Sequence, residues 1–218
     1  MVDRFTLYSY FRSSAAFRVR IALNLKGIAP DYRFVHLLKD GGQQHAPDYA
    51  RLNPQELVPT LVHDGHAIGQ SLAIMEYLDE ANPEPPLLPQ GALARARVRQ
   101  LAYVVACDIH PVNNLRVLNY LRDSLDRSQD EVIDWMTHWI DLGLGALETM
   151  LAGSSETGRV CHGDTPTLAD ICLVPQMTNA RRGKTELERF PTLLRIEAAC
   201  MALPAFADAV AAKQPDAE

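Results

Sequence analysis

Hydrophobic positions in the first third of the chain alternate between the spacing of strands and that of helices. A β-rich run over residues 5–10 predicts a strand, and from Ser14 the apolar residues recur at helical spacing until Lys26-Gly27. Residues 31–38 predict a second strand, followed by a polar, glycine-containing loop over residues 39–48. Because a helix connects the two strands, we expect them to pair in parallel.

A hairpin and a further helix are predicted next. Two short apolar runs, 60–62 and 67–68, flank a segment in which Asp64-Gly65 favours a tight hairpin turn. Ser71 then predicts the N-cap of a helix. This βαβ–ββα order predicts a thioredoxin-like domain over residues 1–82.

The pattern changes at residues 83–92, where clustered prolines predict a stiff linker. Strand signals nearly vanish beyond it, so residues 93–218 predict an all-helical domain, and the expected fold class is α/β plus all-α. Pro111 is expected to kink or interrupt the first long helix. The predicted helices span residues 94–121, 131–151 and 167–180, with two shorter ones beginning at Pro191 and Pro204.

Composition narrows the class of protein and of partner. With 218 residues, 47% of them hydrophobic, the chain can bury the cores of two small domains. A formal charge of −6 argues against a nucleic-acid partner. The first five residues lack a signal-peptide pattern, and no apolar run approaches the about 20 residues of a membrane span. We therefore expect a cytoplasmic protein without a membrane partner.

Two serines at the start of the first predicted helix are the most informative feature. Ser13 and Ser14 follow a strand directly, where unpaired N–H groups and the helix dipole favour an anion. A thiolate is such an anion, and lowering a thiol pKa from about 8.5 to about 6.5 corresponds to about 2.7 kcal/mol. Because position 15 is Ala15, the thiol would come from a bound cofactor. The alternative interpretation is that the serines only cap the helix.

Two further features predict an extended, anionic ligand. Pro59 directly precedes a predicted strand, and a cis Val58–Pro59 bond there would present the backbone of Val58 to an extended peptide. Gln70 and Ser71 open the next helix, whose N-terminus favours a carboxylate. Together with the serines, these elements match glutathione, a tripeptide with a central thiol and a γ-glutamyl carboxylate.

Further motifs extend along the chain, among them Arg18-Val19-Arg20-Ile21-Ala22-Leu23, Val58-Pro59-Thr60-Leu61, Gln70-Ser71-Leu72 and Leu173-Val174-Pro175-Gln176. With the serine pair, they resemble the zeta class of glutathione transferases over nearly the whole length. The resemblance implies a glutathione-dependent cis–trans isomerase of maleylacetoacetate. The alternatives are a maleylpyruvate isomerase, a general or haloacid-processing zeta transferase, and a non-catalytic binding protein with the transferase fold.

The resemblance also implies a set of site residues and a homodimer. Ser13 and Ser14 would hold the glutathione thiolate while it adds to the substrate double bond and is expelled after rotation. Arg12 and Arg182 would bind the two substrate carboxylates. The positions that would contact glutathione are Ser13, Ser14, Gln44, Val58, Gln70, Ser71, His110, Asn114 and Arg116.

Two departures from the family pattern matter. Ala15 stands where the family usually carries cysteine, which argues against a cysteine-dependent thiol-transfer role. Gly183 stands where the family tends to carry an aromatic residue, which changes the expected shape of the substrate pocket.

Other polar and aromatic motifs are interpreted as structural. Thr167 and Asp170 fit a helix capping box. His63 and His66 flank the hairpin turn without a third metal ligand, so no metal is expected. The third such motif is the tryptophan pair Trp135 and Trp139, expected in the core or at an interface.

Overall fold

The computed structural model describes residues 5–218, so most of the segment on which the signal-peptide interpretation rests, residues 1–4, lies outside the described range. The chain forms two compact units. The first comprises the described residues up to Leu87 together with Leu203–Glu218, and the second is Leu88–Ala202. The division between them falls inside the predicted linker, residues 83–92.

The C-terminal residues 203–218 belong to the first unit, although the sequence predicts them as part of the helical domain, residues 93–218. The side chains of Phe206 and Ala209 are buried there. The guanidinium of Arg20 also donates a hydrogen bond to the Ala209 carbonyl at 3.0 Å. Burial of two apolar side chains and one long-range hydrogen bond explains the placement of this segment.

The first unit contains a four-stranded mixed sheet in the order β2-β1-β3-β4. β1 pairs in parallel with β2 and antiparallel with β3, and β3 pairs antiparallel with β4. This topology confirms the thioredoxin-like prediction. The strands are β1 (Thr6–Ser9), β2 (Asp31–Phe34), β3 (Thr60–His63) and β4 (His66–Gly69). The helices of the unit are α1 (Ser14–Leu25), α2 (Pro47–Leu52), α3 (Ser71–Ala81) and α9 (Pro204–Ala207).

The predicted hairpin turn is present between β3 and β4. Asp64 and Gly65 have φ angles of 48° and 78°, the left-handed values that a type I′ turn requires at both central positions. The second strand, in contrast, is shorter than predicted and ends at Phe34. The loop predicted over residues 39–48 contains two 3₁₀ turns and the start of α2, where Pro47 occupies the first helical position.

The second unit is all-helical, which confirms the fold class of this part of the chain. The predicted helix over residues 94–121 is interrupted: a π-helical segment, Val104–Ile109, is followed by a 3₁₀ turn at Pro111–Asn113. The helices are α4 (Ala92–Tyr103), α5 (Leu115–Asn119), α6 (Gln129–Ala152), α7 (Leu168–Ala180) and α8 (Pro191–Met201).

α7 forms the centre of the second unit, since most of its residues are buried and it contacts α4 and α8. The predicted capping box begins it: the Asp170 carboxylate accepts hydrogen bonds from the Thr167 N–H at 2.8 Å and hydroxyl at 2.9 Å. Its other oxygen accepts from the Cys161 N–H at 2.8 Å. Among residues 5–218, no helix is both long and apolar enough to span a bilayer.

Candidate active site

The start of α1 follows β1 after a short loop. Ser13 is the N-cap of α1, and its hydroxyl oxygen accepts a hydrogen bond from the Ala16 N–H at 3.2 Å. Ser14 is the first helical residue and is buried. A hydroxyl oxygen that accepts one hydrogen bond can still donate its own proton. Ser13 can therefore cap the helix and donate to an anion at the same time.

The loop before Ser13 is held by a buried arginine that the sequence interpretation did not single out. Arg20 donates to the carbonyls of Tyr10 at 3.4 Å and Phe11 at 3.1 Å, and to the Ser9 hydroxyl at 3.4 Å. Burial lowers the pKa of Arg20 to about 10, so it remains a cation near neutral pH. The position of this arginine on an otherwise apolar face of α1 was the sequence signal that could have predicted its burial.

Three backbone segments meet at one end of the sheet because of strand register. Tyr8, near the end of β1, pairs with Thr60 at the start of β3, and Thr60 pairs with Gly69 at the end of β4. The loop before Ser13, the turn before Thr60 and the residue Gln70 therefore leave the sheet at the same end.

The turn before β3 contains a cis Val58–Pro59 peptide bond. Val58 belongs to a buried cluster with Tyr10 and Phe11. The preceding carbonyl, that of Leu57, accepts hydrogen bonds from the Tyr49 hydroxyl at 2.5 Å and the Asn53 amide at 2.8 Å. These contacts hold the backbone of the turn in place beside the loop that leads to Ser13.

Gln70, and not Ser71, is the N-cap of α3, so the predicted capping role of Ser71 was wrong. Gln70 has a φ angle of 65°, in the left-handed region that non-glycine residues seldom adopt. Its amide nitrogen donates to Gln55 Oε1 at 2.8 Å. The Ser71 hydroxyl is used differently: it accepts a hydrogen bond from the buried Arg18 at 3.2 Å. Strained backbone conformations like that of Gln70 cluster at ligand sites.

Gln44 lies in the second 3₁₀ turn and is buried. Its Oε1 atom has no hydrogen-bond partner among the residues that the structure describes, although its amide nitrogen lies 2.9 Å from His45 Nε2. Gly42 makes this position available, since a Cβ there would lie 2.6 Å from Gln44 Nε2. Because this oxygen is shielded from solvent, a ligand with N–H donors would reach it only after the Gln44 side chain rotates.

The predicted site residues of the second unit lie around the interrupted helix. His110 follows the π-helical segment and is half-buried. Asn114 is the N-cap of α5 and accepts a hydrogen bond from the N–H of Arg116, which is exposed. The Trp135 indole donates to the Val112 carbonyl at 2.9 Å, which fixes the turn that follows His110.

The two arginines predicted to bind substrate lie in different units. Arg12 is an exposed residue of the first unit, directly before Ser13. Arg182 is an exposed residue of the second unit, and its guanidinium lies 3.4 Å from Asn179 Oδ1. The neighbouring Gly183 has no side chain, and a Cβ there would find only ordinary contacts.

Comparisons with known proteins give matches over nearly the whole chain. Residues 7–86 match the family described as glutathione S-transferase, N-terminal domain. A probable maleylacetoacetate isomerase of Vibrio cholerae is 49% identical over 97% of each chain. A holo structure of maleyl pyruvate isomerase, a bacterial zeta-class glutathione S-transferase, is 45% identical with a TM-score of 0.95, covering 98% of this chain and 100% of its own. A maleylacetoacetate isomerase structure from Methylobacterium extorquens AM1, with bound malonate and glutathione, is 43% identical with a TM-score of 0.92, covering 98% and 99%.

Proposed function

Because the chain belongs to the zeta class of glutathione transferases, we propose that it isomerises maleylacetoacetate to fumarylacetoacetate by reversible thiolate addition. It is an isomerase, and glutathione is its cofactor. The observation that carries the proposed mechanism is the position of Ser13 at the start of α1, at the same end of the sheet as the Val58 turn and Gln70.

The residues of the first unit fit glutathione chemically. The start of α3 after Gln70 favours a carboxylate. The Gln44 side chain, after rotation, can accept from an N–H group of the tripeptide through its Oε1, which has no partner among the described residues. The backbone of Val58 suits an extended peptide strand. Ala15 leaves the helix start without a protein thiol that would compete with the thiol of the cofactor.

When bound, glutathione supplies a nucleophilic thiolate, whose reversible addition to a double bond permits rotation. The contribution of this chain is to stabilise that anion. The Ser13 hydroxyl donates a hydrogen bond, while the N–H groups and dipole at the start of α1 add a favourable electrostatic interaction. Ser14 is the second donor of the proposed pair. Arg12 and Arg182 are proposed to bind the substrate carboxylates, for which a planar guanidinium is suited.

We also propose that the preferred substrate is maleylacetoacetate and not maleylpyruvate. Close relatives carry both names, and the malonate bound to one of them agrees with a small dicarboxylic acid. Steady-state kinetics with both substrates distinguish these alternatives, and a chloro-substituted acid tests the general transferase alternative. We expect the highest kcat/KM with maleylacetoacetate.

The central experiment measures isomerisation with glutathione, without it, and with S-methylglutathione. S-methylglutathione offers the same backbone and carboxylates but no ionisable thiol, so it should bind and yet support no turnover. Equal turnover in all three conditions would refute the proposed mechanism. Failure of calorimetry to detect glutathione binding would favour the non-catalytic binding protein.

A homodimer is also part of the proposal. Leu93 is 88% exposed and Tyr103 is 40% exposed on α4, which leaves large apolar side chains in solvent for the isolated chain. Light scattering after size exclusion tests the dimer, and Leu93→Glu should weaken it if this surface takes part. The expected cytoplasmic location is tested by cell fractionation.

A further inference from the structure

The last residues of the chain, 209–218, form a segment that we call the C-terminal strap. It runs over the first unit, with Ala209 buried and Ala211 packed against the cluster that contains Tyr10, Phe11 and Val58. The same cluster underlies both the loop before Ser13 and the Val58 turn. Ala211 of the strap therefore packs against a cluster that includes residues of both segments that we propose to contact glutathione.

One carboxylate of the strap reaches the loop before the catalytic serine. The N–H of Phe11 donates a hydrogen bond to Asp216 Oδ2 at 2.9 Å, across 205 residues of sequence. The carbonyl of Phe11 accepts from Arg20 at 3.1 Å. Both backbone polar groups of Phe11 are thus held by side chains, and Phe11 lies two residues before Ser13. A hydrogen bond from a backbone N–H to an ionised carboxylate is among the stronger kinds.

The end of the strap contacts a second loop, but more weakly. The Glu218 carboxylate pairs with Lys39, and it lies 3.7 Å from His36 Nε2. The Lys39 and Glu218 side chains are both more than half exposed, and exposed ion pairs contribute little. Asp216 is half-buried and bonds a backbone group, so we assign the main effect of the strap to Asp216.

We propose that Asp216 is a positioning residue of the isomerase: its carboxylate holds the Phe11 N–H and so fixes Arg12 and Ser13 for their roles at the bound thiol. This inference rests on the proposed function of the α1 start. In this role Asp216 acts through the Phe11 backbone.

The test compares three variants of the full-length protein. Asp216→Ala removes the acceptor, and Asp216→Asn keeps an acceptor oxygen but removes the charge. Asp208→Ala is the matched control: it removes another carboxylate of the C-terminal region, whose exposed ion pair with Lys213 of the strap, at 2.7 Å, does not involve Phe11. The measurements are kcat and KM for glutathione, the pKa of bound glutathione from thiolate absorbance, and the melting temperature.

We expect Asp216→Ala to lower kcat/KM for glutathione about tenfold, a loss in the range of one hydrogen bond to a charged group. The pKa of the bound thiol should rise in this variant, because Ser13 is displaced. Simple loss of a nearby negative charge would lower that pKa instead, so the direction separates the two effects. Asp216→Asn should recover kcat/KM to within about threefold of the wild type, and Asp208→Ala should match the wild type.

Three results would overturn the proposal: wild-type kinetics in Asp216→Ala, an equal loss in Asp208→Ala, or a lower melting temperature without any change in the bound-thiol pKa. Amide hydrogen exchange of Phe11 in the ligand-free protein separates this inference from the proposed function. Loss of protection in Asp216→Ala, with protection kept in Asp216→Asn, supports the positioning contact even if the wild type binds no glutathione. Unchanged protection in both variants counts against it.

Discussion

The guanidinium of Arg181 forms two hydrogen bonds with the carboxylate of Glu197, each 2.6 Å long. The Glu197 side chain is only 9% exposed, and its hydrogen bond raises the pKa of Arg181. Arg181 is therefore committed to holding α7 and α8 together. Of the two adjacent arginines at the end of α7, Arg182 remains the candidate for the substrate carboxylate.

Arg181→Ala should accordingly affect stability, and Arg182→Ala should affect activity. Arg181→Ala leaves the buried Glu197 carboxylate without its partner and should lower the free energy of unfolding by about 2 kcal/mol, measured by denaturant titration. Arg182→Ala should leave stability unchanged and lower kcat/KM for maleylacetoacetate about tenfold or more. Unchanged kinetics in Arg182→Ala would remove this residue from the substrate site.

Ser13→Ala should lower both stability and activity. Loss of the N-cap should cost about 1 kcal/mol, and loss of the hydroxyl donor should raise the pKa of bound glutathione. The acid limb of the kcat–pH profile should shift to higher pH, because more alkaline solution is then needed to form the thiolate. Ser13→Thr, which keeps the hydroxyl, is the control. If Ser14→Ala alone abolishes turnover while Ser13→Ala does not, Ser14 is the essential serine.

Two glycines of α6 should respond oppositely to alanine. A Cβ at Gly143 would lie 2.3 Å from Ile109 Cγ1, and Ile109 is buried directly before His110. Overpacking there should cost about 1–3 kcal/mol and raise KM for glutathione if His110 contacts it. At Gly145 the nearest atom, in the Phe190 ring, would be 3.9 Å away, so alanine should stabilise the helix by up to about 1 kcal/mol. Thermal unfolding of Gly143→Ala and Gly145→Ala tests this prediction. Equal melting temperatures of the two variants would contradict the close contact between position 143 and Ile109.

Thiol labelling should separate one cysteine from the other three. Cys107 is exposed, whereas Cys161, Cys172 and Cys200 are buried. Burial raises the pKa of Cys161 and Cys200, with the Asp170 carboxylate adding to the effect, so both stay protonated at pH 8. Iodoacetamide should label the native protein at Cys107 alone and all four cysteines after unfolding. Modification of any cysteine in the native Cys107→Ser variant would show that the buried thiols are accessible.

Features set by residues close in sequence were predictable. The Asp64-Gly65 turn, the capping box of Thr167 and Asp170, and the interruption at Pro111 all follow from groups within a few residues of each other. The serine pair at the start of α1 is of the same kind, because the helix N-terminus has unpaired N–H groups whatever surrounds it. These local signals, in their order along the chain, were enough to predict the thioredoxin-like fold and a glutathione-like ligand, whereas the isomerase chemistry was predicted from the resemblance to the zeta class.

Features that depend on distant partners were decided by tertiary structure. The sequence does not show that Asp216 accepts from the Phe11 N–H, that Ser71 accepts from Arg18, or that the Gln44 Oε1 is buried without a partner among residues 5–218. Each depends on chain segments that packing brings together. A buried polar group is shielded from water, so its partner must come from whichever segment packs against it. Local propensity determines where helices and strands begin, whereas the polar partners around Ser13 are set only when the whole unit has folded.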